Sequence, residues 1–180
     1  MQLHLGAARN INTQARESLG PDTGFDAIGD RSQGRLLAGF LDLLAVEDSL
    51  PKMVLYNSNP AETYVFATIA GSFQSGSIPG KVQYGAPWWF LDQRQGMLAQ
   101  LEALSNTGVL GHFVGMVTDS RSFMSFPRHE YFRRVLCELL GSDMARGELP
   151  ENVGLFGPTV EAICYSNAAH FFDFPARAEK

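Results

Sequence analysis

Hydrophobic and polar positions along the chain fall into two patterns, short strand-like runs and longer stretches with helical spacing. Four of the short runs predict strands, and the last of them predicts a buried strand, because it is apolar, has no helical spacing and follows Gly111. These four runs are residues 2–5, 52–56, 81–84 and 113–117.

Stretches whose apolar residues recur three and four positions apart follow the short runs and predict amphipathic helices. A Gly/Asp-rich loop over 17–31 separates the first run from its helix. The residues suited to cap or open the successive helices are Ser32, Asn59, Asp92, Pro127 and Pro158. Strand and helix therefore alternate four times before a further helix, and such alternation predicts an α/β fold with a parallel sheet.

Chemically reactive or aromatic side chains follow the third and fourth predicted strands. Asp119 and Arg121 come directly after the run at 113–117, and Trp88 and Trp89 come soon after the third run. In parallel α/β folds the carboxyl ends of the strands meet at one rim of the sheet, where ligands bind. We therefore expect these side chains at a common rim.

Composition and charge exclude some classes of function. The 180 residues suffice for one domain with a hydrophobic core, and 45% of them are apolar. A net charge of −5 without runs of like charge argues against a nucleic-acid partner. No apolar stretch is long enough to cross a bilayer and no signal peptide is recognised, so we expect a cytoplasmic protein without a membrane partner. Cys137 and Cys164 are interpreted as buried free thiols, with a disulfide left open.

The number of strand-helix units is small for a complete fold. Four parallel strands leave two bare sheet edges, whereas a closed parallel barrel needs eight strand-helix units. We therefore predict the C-terminal half of a (β/α)8 TIM-type barrel, with four parallel β-α units plus a C-terminal helix, over residues 1–174. Residues 175–180 are expected to form a frayed tail.

Six blocks of the sequence stand out together. They are residues 4–10, 20–30, 76–83, 88–90, 118–123 (Thr-Asp-Ser-Arg-Ser-Phe) and 128–134 (Arg-His-Glu-Tyr-Phe-Arg-Arg). In this order they resemble the uronate isomerase family, also called glucuronate isomerase, of the amidohydrolase superfamily. The resemblance implies a distorted (β/α)8 barrel that isomerises D-glucuronate to D-fructuronate and D-galacturonate to D-tagaturonate. It also implies a divalent metal ion, usually zinc, and a longer protein whose N-terminal piece is missing here.

The metal site implied by the resemblance is incomplete in this sequence. The family holds its metal ion with a His-x-His pair on the first barrel strand and with the aspartate of the last strand. No His-x-His pair occurs here, and the four histidines are scattered. By the resemblance Asp119 is the metal-binding aspartate, and a carboxylate suits such a cation. The chain is therefore expected to supply only part of the site.

Asp119 and Arg121 each have a structural alternative. Asp119, expected as a metal ligand and as the base for a substrate hydroxyl proton, would otherwise cap the following helix. Arg121 is expected to bind the uronate carboxylate with two parallel donors, the alternative being a salt bridge to Asp119 or Glu130. Burying the charge of a sugar acid without a cation is costly, which favours the first interpretation.

Four further residues are candidates for substrate binding. His4, at the end of the first strand, lies either near the metal and substrate or in the core with its polar atoms satisfied. Arg9 either reaches the substrate or orders the Asp-rich loop. Trp88 and Trp89 offer flat faces to sugar C–H groups and N–H donors to hydroxyls, and we expect Trp88 to face the pocket.

The sequence thus predicts a uronate isomerase that moves a proton between the first two carbons of an open-chain uronic acid, with the metal as Lewis acid. The alternatives are a metal-dependent hydrolase of the same superfamily and an inactive fragment that only associates with another half-barrel. Because metal ligands are missing, the isolated chain is expected to be inactive. The predicted partner is the small uronic acid, and a homo-oligomer is left open.

Overall fold

The computed structural model describes residues 1–175, in which short strands alternate with longer helices. The strands are β1 (Gln2–Leu5), β2 (Ala7–Ala8), β3 (Ala27–Ile28), β4 (Met53–Asn57) and β5 (Val82–Tyr84). The α-helices are α1 (Thr13–Leu19), α2 (Gly34–Val46), α3 (Thr63–Ser72), α4 (Arg94–Thr107), α5 (Pro127–Ala145), α6 (Val153–Glu161) and α7 (Asn167–Phe171). Single 3-10 turns lie at Pro60–Glu62, Trp89–Leu91, Leu110–His112 and Phe123–Ser125, and a π-helical turn at Ala162–Ser166 joins α6 to α7.

A parallel three-stranded sheet with the order β1-β4-β5 forms the centre of the fold. In β4, the middle strand, Leu55 lies opposite Leu3 of β1 and opposite Tyr84 of β5. All residues of β4 are buried, as expected for a parallel strand covered on both faces. The predicted α/β fold with a parallel sheet is confirmed.

Helices pack around this sheet and enclose the hydrophobic core. Helix α3 packs against β5 and α4, α4 packs against α5, and α2 packs against α3. The most deeply buried core side chains are Leu41, Met53, Leu55, Phe66, Met97, Leu101 and Leu136. Each such side chain stabilises the fold by about 1.5–3 kcal/mol through its removal from water. The core therefore holds the strands whose carboxyl ends form the rim of the sheet.

The fourth predicted strand is wrong, because residues 113–117 join no strand in the part of the chain that the structure describes. Side chains bind the backbone polar groups that a neighbouring strand would otherwise bind. Gln83 of β5 donates to the carbonyl of His112 and accepts from the backbone N–H of Val114, each at 3.0 Å. Gly115 then turns into the left-handed region at φ 80°. Phe113 and Val114 are nevertheless buried, so the apolar run is correct as core and wrong as a strand.

Several helix boundaries differ from the predictions by short distances. Asn59 caps the 3-10 turn Pro60–Glu62 that leads into α3, accepting from the backbone N–H of Ala61 at 3.0 Å. The N-cap residues of α2 and α4 are Gln33 and Gln93, each one residue after the predicted caps Ser32 and Asp92. Pro158 lies inside α6, which already begins at Val153 because Asn152 accepts from the N–H of Leu155.

Other predictions are corrected by burial and local structure. Residues 17–31 are not one loop, since they include the end of α1 and the strand β3. Cys137 and Cys164 are free thiols as interpreted, but both are exposed rather than buried. Of the predicted tail, residues 176–180 lie outside the described residues. Among residues 1–175, no helix combines the length and the apolar character that crossing a bilayer requires.

Candidate functional site

The carboxyl ends of β1 and β4 place an imidazole and a phenol face to face at the rim of the sheet. His4 lies opposite Tyr56 in the strand register, and their rings stack with centroids 4.3 Å apart and planes at 9°. Gly85 leaves room for the phenol, since a Cβ atom there would lie 2.5 Å from Tyr56 Cε1. The absence of a side chain in the loop after β5 therefore permits the ring pair.

Two further residues predicted from the sequence, Trp88 and Asp119, lie beside His4 of this ring pair. The indole Nε1 of Trp88 donates to Asp119 Oδ2 at 2.8 Å. The Trp88 ring also meets His4 edge to face, with centroids 4.8 Å apart. His4 Nε2 lies 3.8 Å from the same Asp119 Oδ2, beyond hydrogen-bond distance. The structure therefore brings His4, Trp88 and Asp119 together.

The electrostatics of the ring pair favour uncharged forms. Burial lowers the pKa of His4, and the nearby Asp119 carboxylate offsets only part of that shift. The imidazole is therefore neutral at neutral pH, with a lone pair on one ring nitrogen. Burial also raises the pKa of Tyr56, and the charge of Asp119 adds to this effect. The phenol thus keeps its proton and donates it to Gln2 Oε1 at 2.8 Å.

Trp89 and Arg9 form a second contact at the rim. The Arg9 guanidinium carbon lies 4.8 Å from the centre of the Trp89 ring, within the range of a cation–π interaction. Arg9 also binds Asp22 at 3.0 Å, and Asp26 accepts from the backbone N–H of Asn10 at 2.7 Å. The structural role left open for Arg9, ordering the Asp-rich loop, is therefore observed, and its side chain lines the cavity as well.

An open cavity of about 740 Å³ lies above these groups. The side chains that line it are Arg9, Trp88, Trp89, Asp92, Thr118, Asp119, Ser120, Arg121, Ser122 and Arg128. Within residues 1–175 Arg121 forms no ion pair, and Glu130 pairs instead with Arg134 at 2.7 Å. The salt bridges considered as an alternative for Arg121 are therefore not formed, and its guanidinium is available to a ligand.

A smaller cavity of about 300 Å³ lies between α3 and α4, near the start of β5. Its lining is mainly apolar and contains no Asp, Glu, Lys or Arg side chain. Chemistry on a charged substrate needs convergent polar groups, so the rim cavity is the stronger candidate despite its more open shape.

Sequence reasoning misses three residues of the rim. Tyr56 ends the second predicted strand, and its stacking partner is distant in sequence. Asp92 has the pattern of a helix cap, and Arg128 belongs only to a sequence block of the resemblance. The structure pairs Asp92 with Arg128 in the wall of the cavity. No local pattern indicates such a pair, because its members belong to different elements.

The residues described here do not build a complete metal site. No group of three or more His, Cys, Asp or Glu side chains in residues 1–175 is arranged to hold a metal ion. His4 and Asp119 offer two donors of the types that zinc takes, whereas a catalytic zinc site uses three protein ligands. That this chain supplies only part of a metal site stays a prediction.

The fold and the rim together define a class of protein. A parallel α/β sheet carries a carboxylate, guanidinium groups and two indoles around an open cavity beyond its strand ends. This is the arrangement of an α/β protein with an open, polar cavity beyond the strand ends of its sheet, the place where ligands bind in such folds.

Comparisons with known proteins show the family. The family model for glucuronate isomerase matches residues 1–172, and the chain belongs to this family. The uronate isomerase of Opitutus terrae is 59% identical over 171 residues, which cover 95% of this chain and 36% of that protein. The uronate isomerase of Solibacter usitatus is 58% identical over 170 residues, covering 94% of this chain and 36% of that protein.

Solved structures agree with this assignment. A crystal structure of uronate isomerase from Thermotoga maritima superposes with a TM-score of 0.83 at 35% identity, covering 95% of this chain and 36% of that one. Glucuronate isomerase from Caulobacter crescentus gives a TM-score of 0.82 at 25% identity, covering 99% and 36%. The predicted family is confirmed, and the chain spans little more than a third of the length of these relatives.

Proposed function

We propose that this chain carries part of the active site of a uronate isomerase, which interconverts D-glucuronate with D-fructuronate and D-galacturonate with D-tagaturonate. One observation supports this most strongly: Asp119 and Arg121 line one cavity, and the indole of Trp88 holds the carboxylate of Asp119 at 2.8 Å. A sugar acid offers a carboxylate for Arg121 to bind. Its hydroxyl and carbonyl groups are within the chemistry of the Asp119 carboxylate and of the indole N–H donors.

Arg121 is the proposed anchor of the substrate carboxylate. Its guanidinium is exposed to the cavity and has no ion-pair partner within residues 1–175. A planar guanidinium binds a carboxylate with two parallel hydrogen bonds, which fixes the orientation of the substrate as well as its position. Arg9 is a weaker anchor because it already contacts Trp89 and Asp22.

Asp119 is the proposed base for a substrate hydroxyl proton. Isomerisation moves a proton between the first two carbons and also requires a proton shift on oxygen. The Trp88 indole occupies Oδ2 of the carboxylate and so orients the other oxygen. The side chain is 52% exposed, which leaves it accessible from the cavity. In this arrangement Trp88 orients the base, and His4 and Trp89 provide surfaces for the sugar.

A divalent metal ion, zinc by the family resemblance, is part of the proposal, with Asp119 as its ligand. Such an ion supplies Lewis-acid polarisation of a substrate oxygen when bound. His4 is a second suitable donor, since its imidazole is neutral and lies 3.8 Å from Asp119. The remaining ligands come from outside the described residues, and for this reason we expect the isolated chain to be inactive.

The finer description of the fold is also a proposal. We infer that residues 1–174 form the C-terminal half of a (β/α)8 barrel of the amidohydrolase superfamily. The parallel order of β1, β4 and β5 and the share of about a third of each relative support this. Free thiols at Cys137 and Cys164 fit the proposed cytoplasmic location, where reducing conditions keep cysteines unpaired.

A fluorescence titration tests the proposed function. Both tryptophans of the sequence line the cavity, so the intrinsic emission reports on this site alone. D-glucuronate is expected to change the emission of the purified chain saturably, whereas D-glucose, which lacks the carboxylate, is not. The R121M variant should lose the response. No response of the wild-type chain, or an equal response of R121M, would refute the proposed role of this cavity.

A turnover assay tests the expectation of inactivity. The 180-residue chain is incubated with D-glucuronate and zinc, and D-fructuronate is measured. We expect no product above background, because the described residues supply at most two metal ligands. Robust turnover by the chain alone would show that the site is complete.

A further inference from the structure

A buried carboxylate lies in the wall of the cavity with only part of its bonding capacity used. The Asp92 side chain is 2% exposed, and its Oδ1 has no hydrogen-bond partner within residues 1–175. Its Oδ2 pairs with the guanidinium of Arg128, whose Nη2 also donates to the Asp92 carbonyl at 3.3 Å. Burial of the Asp92 charge with one oxygen unbonded costs free energy of folding. Such a cost points to a specific role for the pair.

The pair links the loop that carries Trp88 and Trp89 to helix α5. Asp92 closes the 3-10 turn Trp89–Leu91, with its backbone N–H donating to the carbonyl of Trp89 at 3.2 Å. Arg128 lies in the first turn of α5, immediately after the segment that carries Asp119 and Arg121. The ion pair therefore joins the loop that carries Trp88 and Trp89 to helix α5, which follows Asp119 in the chain.

The turn held by this pair is conformationally strained. Trp89 has a φ of 55°, in the left-handed region that a bulky side chain adopts only when its surroundings hold it there. The turn also has no space behind it, because a Cβ atom at Gly96 would lie 2.0 Å from the carbonyl oxygen of Leu91. The turn is thus held from behind by α4 and at its end by Asp92.

We propose that Asp92 and Arg128 are positioning residues for the reaction. Their ion pair, in which Asp92 is buried and Arg128 is half-buried, holds the turn that carries Trp88 and Trp89, and Trp88 in turn orients the Asp119 carboxylate. This rests on the proposed function, since the orientation of Asp119 matters only if that carboxylate acts on a substrate. Neither residue needs to touch the substrate to have this effect.

Other ion pairs of the chain show why this one is distinct. The Arg134–Glu130 pair lies on the same helix, but its side chains are exposed and its loss costs little. Removal of Arg128 would instead leave the Asp92 charge buried and uncompensated. The turn would then rearrange to hydrate the carboxylate, and Trp88 would move with it.

The variants D92N, R128Q and R128K test this inference, with R134Q as the matched control on the same helix. Acrylamide quenching and the emission maximum of the free chain report on the tryptophan turn, and a D-glucuronate titration reports on the site. D92N and R128Q are expected to increase quenching, to shift the emission to longer wavelength and to raise the dissociation constant about tenfold. R128K, which keeps the charge, should restore part of each change, and R134Q should match wild type.

The outcomes separate this inference from the proposed function. If D92N and R128Q fold with wild-type emission, quenching and uronate affinity but melt earlier, the pair is merely structural and the inference is overturned. If the wild-type chain does not respond to D-glucuronate but D92N and R128Q change the tryptophan emission, the proposed function fails. The role of the ion pair in holding the turn is then still supported. If D92N and R128Q do not fold by circular dichroism, R128K decides, and wild-type emission and quenching in R128K would overturn the inference.

Discussion

The two loops that form the cavity differ in how this chain supports them. The loop at 85–92 is largely enclosed: Ala86 and Leu91 are buried, and the Asp92 side chain is 2% exposed. The segment at 118–126 is largely open, with Phe123 and Met124 exposed to 86% and 85%. One half of the site is therefore built on the core of this chain, and the other half faces a space that residues 1–175 do not fill.

The open segment is held mainly by its own serines. The backbone N–H of Ser122 donates to Ser120 Oγ, and that of Met124 donates to Ser122 Oγ. Its link to the enclosed loop is the bond from Trp88 to Asp119. The proposed function uses both kinds of loop, because in it a rigid loop at 85–92 orients the Asp119 carboxylate while that carboxylate remains accessible. The predictions below test this contrast.

The largest effect is expected at Gly96, behind the enclosed loop. A methyl group there would lie 2.0 Å from the Leu91 carbonyl oxygen, so G96A should lower the free energy of unfolding by about 3 kcal/mol. G39A is the control, because Gly39 also lies in a helix and a methyl group added there would have no neighbouring atom within 4 Å. The G39A variant should have a free energy of unfolding up to about 1 kcal/mol higher than wild type. Urea unfolding of both variants measures the difference, and equal stabilities would contradict the account of the enclosed loop.

Limited proteolysis should distinguish the two loops directly. Chymotrypsin cleaves after aromatic residues, and both loops contain them. We expect cleavage after Phe123 to be about tenfold faster than cleavage after Trp89 or Phe90, because proteolysis follows local opening. Mass spectrometry of early fragments identifies the sites. Faster cleavage at Trp89 would reverse the assignment of rigid and open halves.

The bond between the loops should contribute about 1 kcal/mol to stability. A hydrogen bond to a charged group is worth more than this when buried, but the Asp119 side chain is half exposed. A double-mutant cycle with W88F, D119A and the combined variant isolates the coupling energy from urea unfolding. Additive effects of the two substitutions would mean that the bond is not maintained in solution.

The smallest effect on stability is expected at Arg121. Its side chain is exposed and forms no ion pair within residues 1–175, so R121M should change the free energy of unfolding by less than about 0.5 kcal/mol. The same variant should lose the response to D-glucuronate. A large loss of stability would instead indicate a structural role and weaken its assignment as the carboxylate anchor.

Much of the fold could be predicted from local patterns in the sequence. The strand-like runs at 2–5, 52–56 and 81–84 each coincide with most or all of a strand of the parallel sheet. The run at 113–117 is also predicted as a strand but forms none, because the Gln83 side chain binds its backbone. The hydrogen bonds that a neighbouring strand would form are made here by the side chain of a residue distant in sequence. Hydrophobic periodicity therefore cannot reveal them.

The candidate site shows the same division. Strand ends and the family resemblance predict Asp119, Trp88 and His4 at one rim, and the structure brings them together. Neither predicts the stacking of His4 on Tyr56 or the pair of Asp92 with Arg128. Both depend on which side chains are buried against each other across elements, and only the folded chain determines that.

The indole N–H signals of the two tryptophans test the central claim most directly. In a ¹⁵N-labelled chain, the signal of Trp88 Nε1 reports on its bond to Asp119 and on the occupancy of the cavity. We predict that D-glucuronate shifts this signal in a saturable manner and that D-glucose leaves it unchanged. Equal shifts with both sugars, or none with D-glucuronate, would contradict the assignment of this rim as a sugar-acid site.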